Sequence, residues 1–154
     1  MGMPMNSTPP RAGLAALFLA GAVAAGSLAQ ADDVAPVRLD RDLMAGVGLT
    51  AIPPDAYADI LVAGELNMRV ASLFEGAELS VSVFASTPAT TDHRTRPTDM
   101  DEFVTVLSGK LILTEPNGSA HEFLPGDSFV LPVGYTGTWE MQGDYRELVV
   151  LMQK

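Results

Sequence analysis

From residue 67 onward the chain repeats one pattern: four to seven residues of apolar alternation, then a break of Gly, Pro, Asn or Asp. Such a pattern predicts short strands at 68–74, 79–85, 102–107, 110–115, 120–124, 128–131, 137–141 and 146–152. Regularly spaced short strands belong to all-β sandwiches and barrels, not to helical or α/β folds. Three breaks carry a named turn chemistry. Asn117-Gly118 suits a type I′ hairpin, in which both central residues take positive φ. Pro125-Gly126 suits the centre of a type II turn. Ser108-Gly109 joins two apolar strands at hairpin spacing. Residues 86–101 read as one long loop, and loops of that length in a small domain are often functional. Val149 and Leu151 alternate with Leu148, Val150 and Met152, so the last strand is apolar on both faces. That suits a strand lying between two layers or at a dimer interface.

The 154 residues allow one domain. Residues 1–31 read as a secretory signal peptide. Arg11 is the only charge before Asp32, an apolar run rich in Ala and Gly follows it, and Ala29-Gln30-Ala31 is a small-x-small cleavage site. The alternative is an uncleaved anchor, but Ala and Gly insert weakly into a bilayer. The expected product is periplasmic or secreted, with no stable membrane insertion after cleavage. Residues 32–66 form an N-terminal arm, with a short helix expected at 56–61 after Pro53-Pro54-Asp55. Residues 67–154 form the domain itself. The chain has no cysteine, which excludes disulfides and thiol chemistry. With Arg11 removed, eight basic side chains face nineteen acidic ones, a net charge of −11. Nucleic acid and anionic membranes are polyanions, so neither is an expected partner.

The order of the later motifs resembles one known family. Asp101-Glu102, Leu107-Ser108-Gly109, Asn117-Gly118, Gly126-Asp127, Pro132-Val133-Gly134 and Gly137-Thr138-Trp139 follow one another as in the cupin superfamily. The likeness is to its ureidoglycine aminohydrolase-type and ethanolamine-utilisation-type members. The resemblance spans residues 69–152. It implies a single-domain cupin jelly-roll barrel, a double-stranded β-helix, with a pocket at one mouth and a homodimeric assembly. This chain departs from the family at Arg146-Glu147, where Arg-Lys is common, and at Ser82-Val83-Phe84, where Gly-x-Trp is common.

Metal-binding cupins carry two histidines and a glutamate in their first motif and a third histidine in their second. Alignment on Glu102 puts Arg96 and Thr98 at the first two histidine positions, or Thr95 and Pro97 with a spacer one residue longer. Gly137 stands at the third. The resemblance therefore implies no metal site and no cofactor. A rearranged site would need His93, Glu102 and a further carboxylate. Glu102 is the candidate catalytic residue: on the barrel's inner face, with Val104 and Val106, burial would raise its pKa. Arg96 would offer a planar donor fork to a carboxylate or phosphate, unless it is a solvated loop arginine. Thr98, Tyr135, Trp139 and His93 complete the candidate ligand-binding set. For Trp139 the simpler reading is core packing; for His93, an exposed loop histidine. His121 is expected at the surface, and Asp127 is expected to hold its own turn.

Three functional classes follow. The first is an exported, metal-free cupin that binds a small polar or anionic molecule, carboxylates included, in its barrel. The second is a metal-independent aminohydrolase, isomerase or lyase with Glu102 as acid/base. The third is a non-catalytic dimeric interaction protein, which a barrel interior filled by side chains would favour.

Overall fold

Two long strands, β6 (Asp101–Thr114) and β9 (Thr138–Met152), run antiparallel along their whole length and organise everything else. The computed structural model describes residues 35–152. The expected signal peptide, residues 1–31, lies outside them. Among the described residues there are nine strands: β1 (Thr50–Ala51), β2 (Leu61–Gly64), β3 (Arg69–Glu75), β4 (Leu79–Ser86), β5 (Ala89–Asp92), β6, β7 (Ala120–Phe123), β8 (Ser128–Leu131) and β9. One helical turn, α1 (Arg41–Met44), precedes them, capped by Asp40 Oδ1, which accepts from the backbone N–H groups of Asp42 and Leu43.

Each long strand serves two halves of the sheet. Residues 101–106 of β6 pair with residues 147–152 of β9, and the order there is β1-β3-β4-β9-β6-β8. Residues 111–114 pair with 138–141, and the order becomes β2-β5-β9-β6-β7. All pairs are antiparallel. The two halves enclose a core of Met68, Val70, Phe84, Val106, Leu111, Leu113, Leu131, Trp139, Met141 and Tyr145, among others. This is the expected all-β jelly-roll barrel.

The crossing point corrects one sequence expectation. Ser108-Gly109 is no hairpin turn; the flanking expected strands are one strand, β6, bent by register shifts between Val106, Ser108 and Lys110. The shifts also change the face. Val104 and Val106 point inward before the bend, Leu111 and Leu113 after it. An extra residue is what lets both stretches of β6 face the core. Gly109 sits where β9 presses closest. Its φ is 71°, and a Cβ there would lie 2.6 Å from the Gln142 carbonyl oxygen and 2.7 Å from the Tyr145 Cα.

A second correction concerns the β6–β7 turn. The Gly118 N–H bonds to the Glu115 carbonyl, so the turn begins at Glu115 with Pro116 and Asn117 at its centre. Gly118 takes φ 90°, but Asn117 does not take positive φ. Proline fixes a negative φ at the first central position, which excludes type I′ and selects a type I turn closed by a left-handed glycine. The expected type II turn at Pro125-Gly126 is present: Gly126 has φ 96° and the Asp127 N–H donates to the Leu124 carbonyl at 2.9 Å. Asp127 Oδ2 accepts from the Leu124 N–H, as expected.

The arm and the long loop are also more ordered than expected. Residues 50–51 and 61–64 supply edge strands β1 and β2, and a 3₁₀ turn at Pro54–Ala56 replaces the expected helix at 56–61. Ile52, Tyr57, Ile60 and Leu66 from this segment are buried in the core. Residues 89–92 of the expected loop form β5, whose alternating burial has the period of a half-buried strand.

Gly109→Ala should lower stability by about 3 kcal/mol, through unfavourable φ and a backbone clash. Gly118→Ala has equally positive φ but no atom within 4 Å, so its cost should be about 1 kcal/mol. Urea unfolding of both variants checks this; equal losses would mean that close approach at the crossing contributes nothing.

Candidate functional site

Alternation along β6 and β9 carries two carboxyl groups into the barrel. Glu102 lies on the inner face of β6 with Val104 and Val106, and Glu147 lies on the inner face of β9 with Tyr145, Val149 and Leu151. They are 5% and 4% exposed. Both line one cavity, with Thr91, His93, Trp139 and Met141 from the opposite half and Ile60 and Leu66 from the arm. The free space there is about 20 Å³, room for one water-sized group.

The two carboxyls differ in their partners. The Tyr145 hydroxyl donates to Glu147 Oε2. Glu102 receives no side-chain or backbone hydrogen bond on its carboxyl among the described residues. Burial raises the Glu102 pKa to about 8, with further upward pressure from the Glu147 and Asp99 charges. Burial also raises Glu147, to about 7, against the downward pull of the Tyr145 hydrogen bond. Because only Glu147 has a donor for its charged form, the proton near neutrality rests on Glu102.

His93 is 2% exposed, not a surface loop histidine. It follows β5 directly; the Gly137 carbonyl accepts from its N–H, and its Nε2 lies 3.0 Å from Thr91 Oγ1. Its ring centroid is 5.3 Å from that of Trp139. Burial, then the Arg96 charge, lowers its pKa to about 4, so the imidazole is neutral across the physiological range. His93 Nδ1 and Trp139 Nε1 are buried without hydrogen-bond partners. Orphaned buried polar atoms are uncommon and call for an explanation.

The remaining candidates stand elsewhere. Arg96 Nη1 donates to the Ala56 carbonyl at 3.1 Å and to Asp59 Oδ1 at 3.2 Å. It pins the loop to the arm and does not line the cavity. Thr98 is a fastener: its hydroxyl donates to the Pro132 carbonyl and accepts from the Tyr135 N–H. Tyr135 lines a separate groove of about 460 Å³ between β7 and β8, with Phe123, Phe129 and Leu131. His121 is exposed and pairs with Glu115 at 2.8 Å.

A cupin metal does not fit these residues. Arg96 and Thr98, set at the histidine positions by the shorter spacer, are committed to backbone and Asp59; Thr95 and Pro97, set there by the longer one, include no imidazole or carboxylate, and Gly137 offers no side chain. Among the described residues no group of three or more His, Asp and Glu side chains is placed to hold a metal ion. Sequence reasoning missed Glu147, Tyr145 and Thr91. The signal for Glu147 was present: it has the parity of Val149 and Leu151, so a strand apolar on that face carries one charge inward.

A family model described as a EutQ-like cupin domain matches residues 77–146. A protein of unknown function from Pseudomonas syringae pv. tomato is similar in structure, with a TM-score of 0.58 and 27% identity over 67% of this chain and 43% of that one. This chain thus spans under half the length of that protein. The Clostridium difficile EutQ protein shares the fold, with a TM-score of 0.52 and 19% identity over 62% of this chain and 77% of that one. No curated protein matches. Motif order, strand order and family match agree: the fold is that of the cupins, and residues 77–146 match a EutQ-like cupin domain.

Proposed function

We propose that this protein is an exported small-molecule-binding cupin whose working site is the carboxyl-lined cavity inside the barrel. The observation that carries this is Glu102: a carboxyl without a partner, protonated near neutrality, facing a space next to two orphaned ring nitrogens. Such a group binds a polar ligand and can pass it a proton. The cavity admits only a compact group, and no cationic side chain lines it. The ligand is therefore a neutral or cationic polar molecule and not an anion, since Arg96 is engaged with Asp59. A pKa of about 8 also suits a general acid working near neutral pH, which favours a metal-independent aminohydrolase, isomerase or lyase step as the second reading. Export rests on Arg11, the apolar run and Ala29-Gln30-Ala31.

We further propose a homodimer. On the outer face, Val130, Phe103, Val150 and Val81 lie in register across four neighbouring strands, β8, β6, β9 and β4. Val130 is 59% and Phe103 39% exposed, and the pair Leu79 and Met152 lies on the same face beyond Val81 and Val150. A contiguous apolar sheet face of this kind marks an interaction surface. Phe103→Glu should convert dimer to monomer in light scattering at micromolar concentration; a monomeric wild-type protein would sink the proposal.

The protonation state of Glu102 has a measurable sign. A carboxyl whose folded pKa is raised contributes stability that is full below its ordinary value of 4.5 and lost as pH rises through about 8. Glu147 acts in the same direction, up to about 7. His93 acts oppositely, but only below its ordinary 6.5. Between pH 6.5 and 8, therefore, the carboxyls dominate, and stability should fall by on the order of 2 kcal/mol. Glu102→Gln should flatten most of that slope. Urea unfolding at four pH values decides it: an unchanged slope in the variant would place the proton elsewhere.

A further inference from the structure

We infer that the barrel cavity takes a primary ammonium head group, held between Glu102 and Glu147; this deepens the proposal that the cavity is the working site. Every charged or titratable side chain lining the cavity is acidic or neutral. Glu102 enters from β6, Glu147 from β9 and His93 from the segment after β5. Tyr145 donates to Glu147 on the core side, and Asp99 adds further negative charge near Glu102. Arg96 stands off the cavity, paired with Asp59. A single positive charge is therefore the missing complement of this site.

Its chemistry is narrower than a cation in general. The donors are not placed for a metal ion, whose bonds to nitrogen and oxygen are short, about 2.0–2.2 Å. An N–H donor reaches further, to about 2.9 Å from its acceptor. The available volume, about 20 Å³, suits one water-sized –NH₃⁺ group. His93 Nε2 shares a hydrogen bond with Thr91 Oγ1, and its Nδ1 is buried without a partner; in the tautomer that places the proton on Nε2, Nδ1 is a lone-pair acceptor. An ammonium has three N–H donors; the Glu102 and Glu147 carboxyls line the space as acceptors, and His93 lines it as well. The other partnerless ring nitrogen of the residues lining the cavity, Trp139 Nε1, is a donor. It is no acceptor for an ammonium, and the ammonium assignment does not use it.

Binding must displace the Glu102 proton, because a cation between the carboxyls favours their charged forms. Trp139 is the only tryptophan and lines the cavity, so its emission reports occupancy directly. The purified protein would be titrated at pH 7 with methylammonium chloride, with acetamide, and with potassium chloride at matched ionic strength. A pH indicator would follow proton release in weak buffer. The expected result is saturable quenching by methylammonium with release of a large part of one proton per chain. Glu102→Gln and Glu147→Gln should each weaken it at least tenfold, while the exposed Glu122→Gln leaves it unchanged. A circular dichroism spectrum and unfolding midpoint establish that each variant is folded. Equal quenching by potassium chloride would overturn the ammonium assignment, since potassium has no N–H donors. Saturation by acetamide alone, lost in Glu102→Gln, would overturn the cation and leave the cavity as the working site. No saturable response to any probe in the folded protein would overturn both.

Discussion

The antiparallel pairing of β6 with β9, and its bend at Gly109, is the constraint from which the rest follows. Both strands belong to both halves of the sheet, so the halves cannot move apart without breaking this ladder. The bend demands a close approach: the Gly109 Cα lies against the β9 backbone at Gln142 and Tyr145, where only a glycine fits. The accompanying register shift changes which residues of β6 face inward. Without it, either Glu102, Val104 and Val106 or Leu111 and Leu113 would face water. Fold and cavity thus depend on the same local irregularity, because it places Glu102 opposite the half of the barrel that carries His93 and Trp139.

The loop between β5 and β6 is fastened by its own side chains. Arg96 and Thr98, which the resemblance sets against ligand histidines when its shorter spacer is taken, are both fasteners here. Arg96 holds the arm through Ala56 and Asp59; Thr98 makes hydrogen bonds to the 132–135 turn through both its hydroxyl and its backbone. Gly137 contributes a carbonyl to the His93 N–H and no side chain at all. Hydrogen bonds tether this segment, and the arm lines the cavity with Ile60 and Leu66.

Much of the fold was legible because strand burial has a period of two and the breaks carry Gly and Pro. All eight expected segments are strands within small boundary shifts: four are β3, β4, β7 and β8, and the other four merge in pairs into β6 and β9. Ser108-Gly109 misled because a left-handed glycine serves a bend inside a ladder as well as a hairpin, and spacing does not distinguish them. Strands β1, β2 and β5 were missed because they are two to four residues long and are stabilised by pairing with distant strands, not by their own pattern. In the site, Glu102 was legible from motif and parity. Glu147 was missed although it shares the parity of Val149 and Leu151, because a strand apolar on both faces does not show which face is the inner one. Arg96 was misplaced for a different reason: a loop residue's direction is set by its partner, and Asp59 lies 37 positions away.

The two carboxyls also bear on whether this barrel is simply a packed core. A carboxyl buried without a partner is destabilising unless protonated, and even then it leaves hydrogen-bonding capacity unused. The surrounding core is apolar, and Leu or Met at either position would fill the remaining volume and remove two interacting titrations. Buried ionisable groups are commonly replaceable by hydrophobic ones with neutral or favourable effect on stability. Glu102, Glu147, His93 Nδ1 and Trp139 Nε1 therefore form a set of polar groups that packing alone does not require. Their convergence on one small cavity breaks the local rule that a core should be apolar or fully satisfied, and such breaks concentrate where a chain binds something or does chemistry.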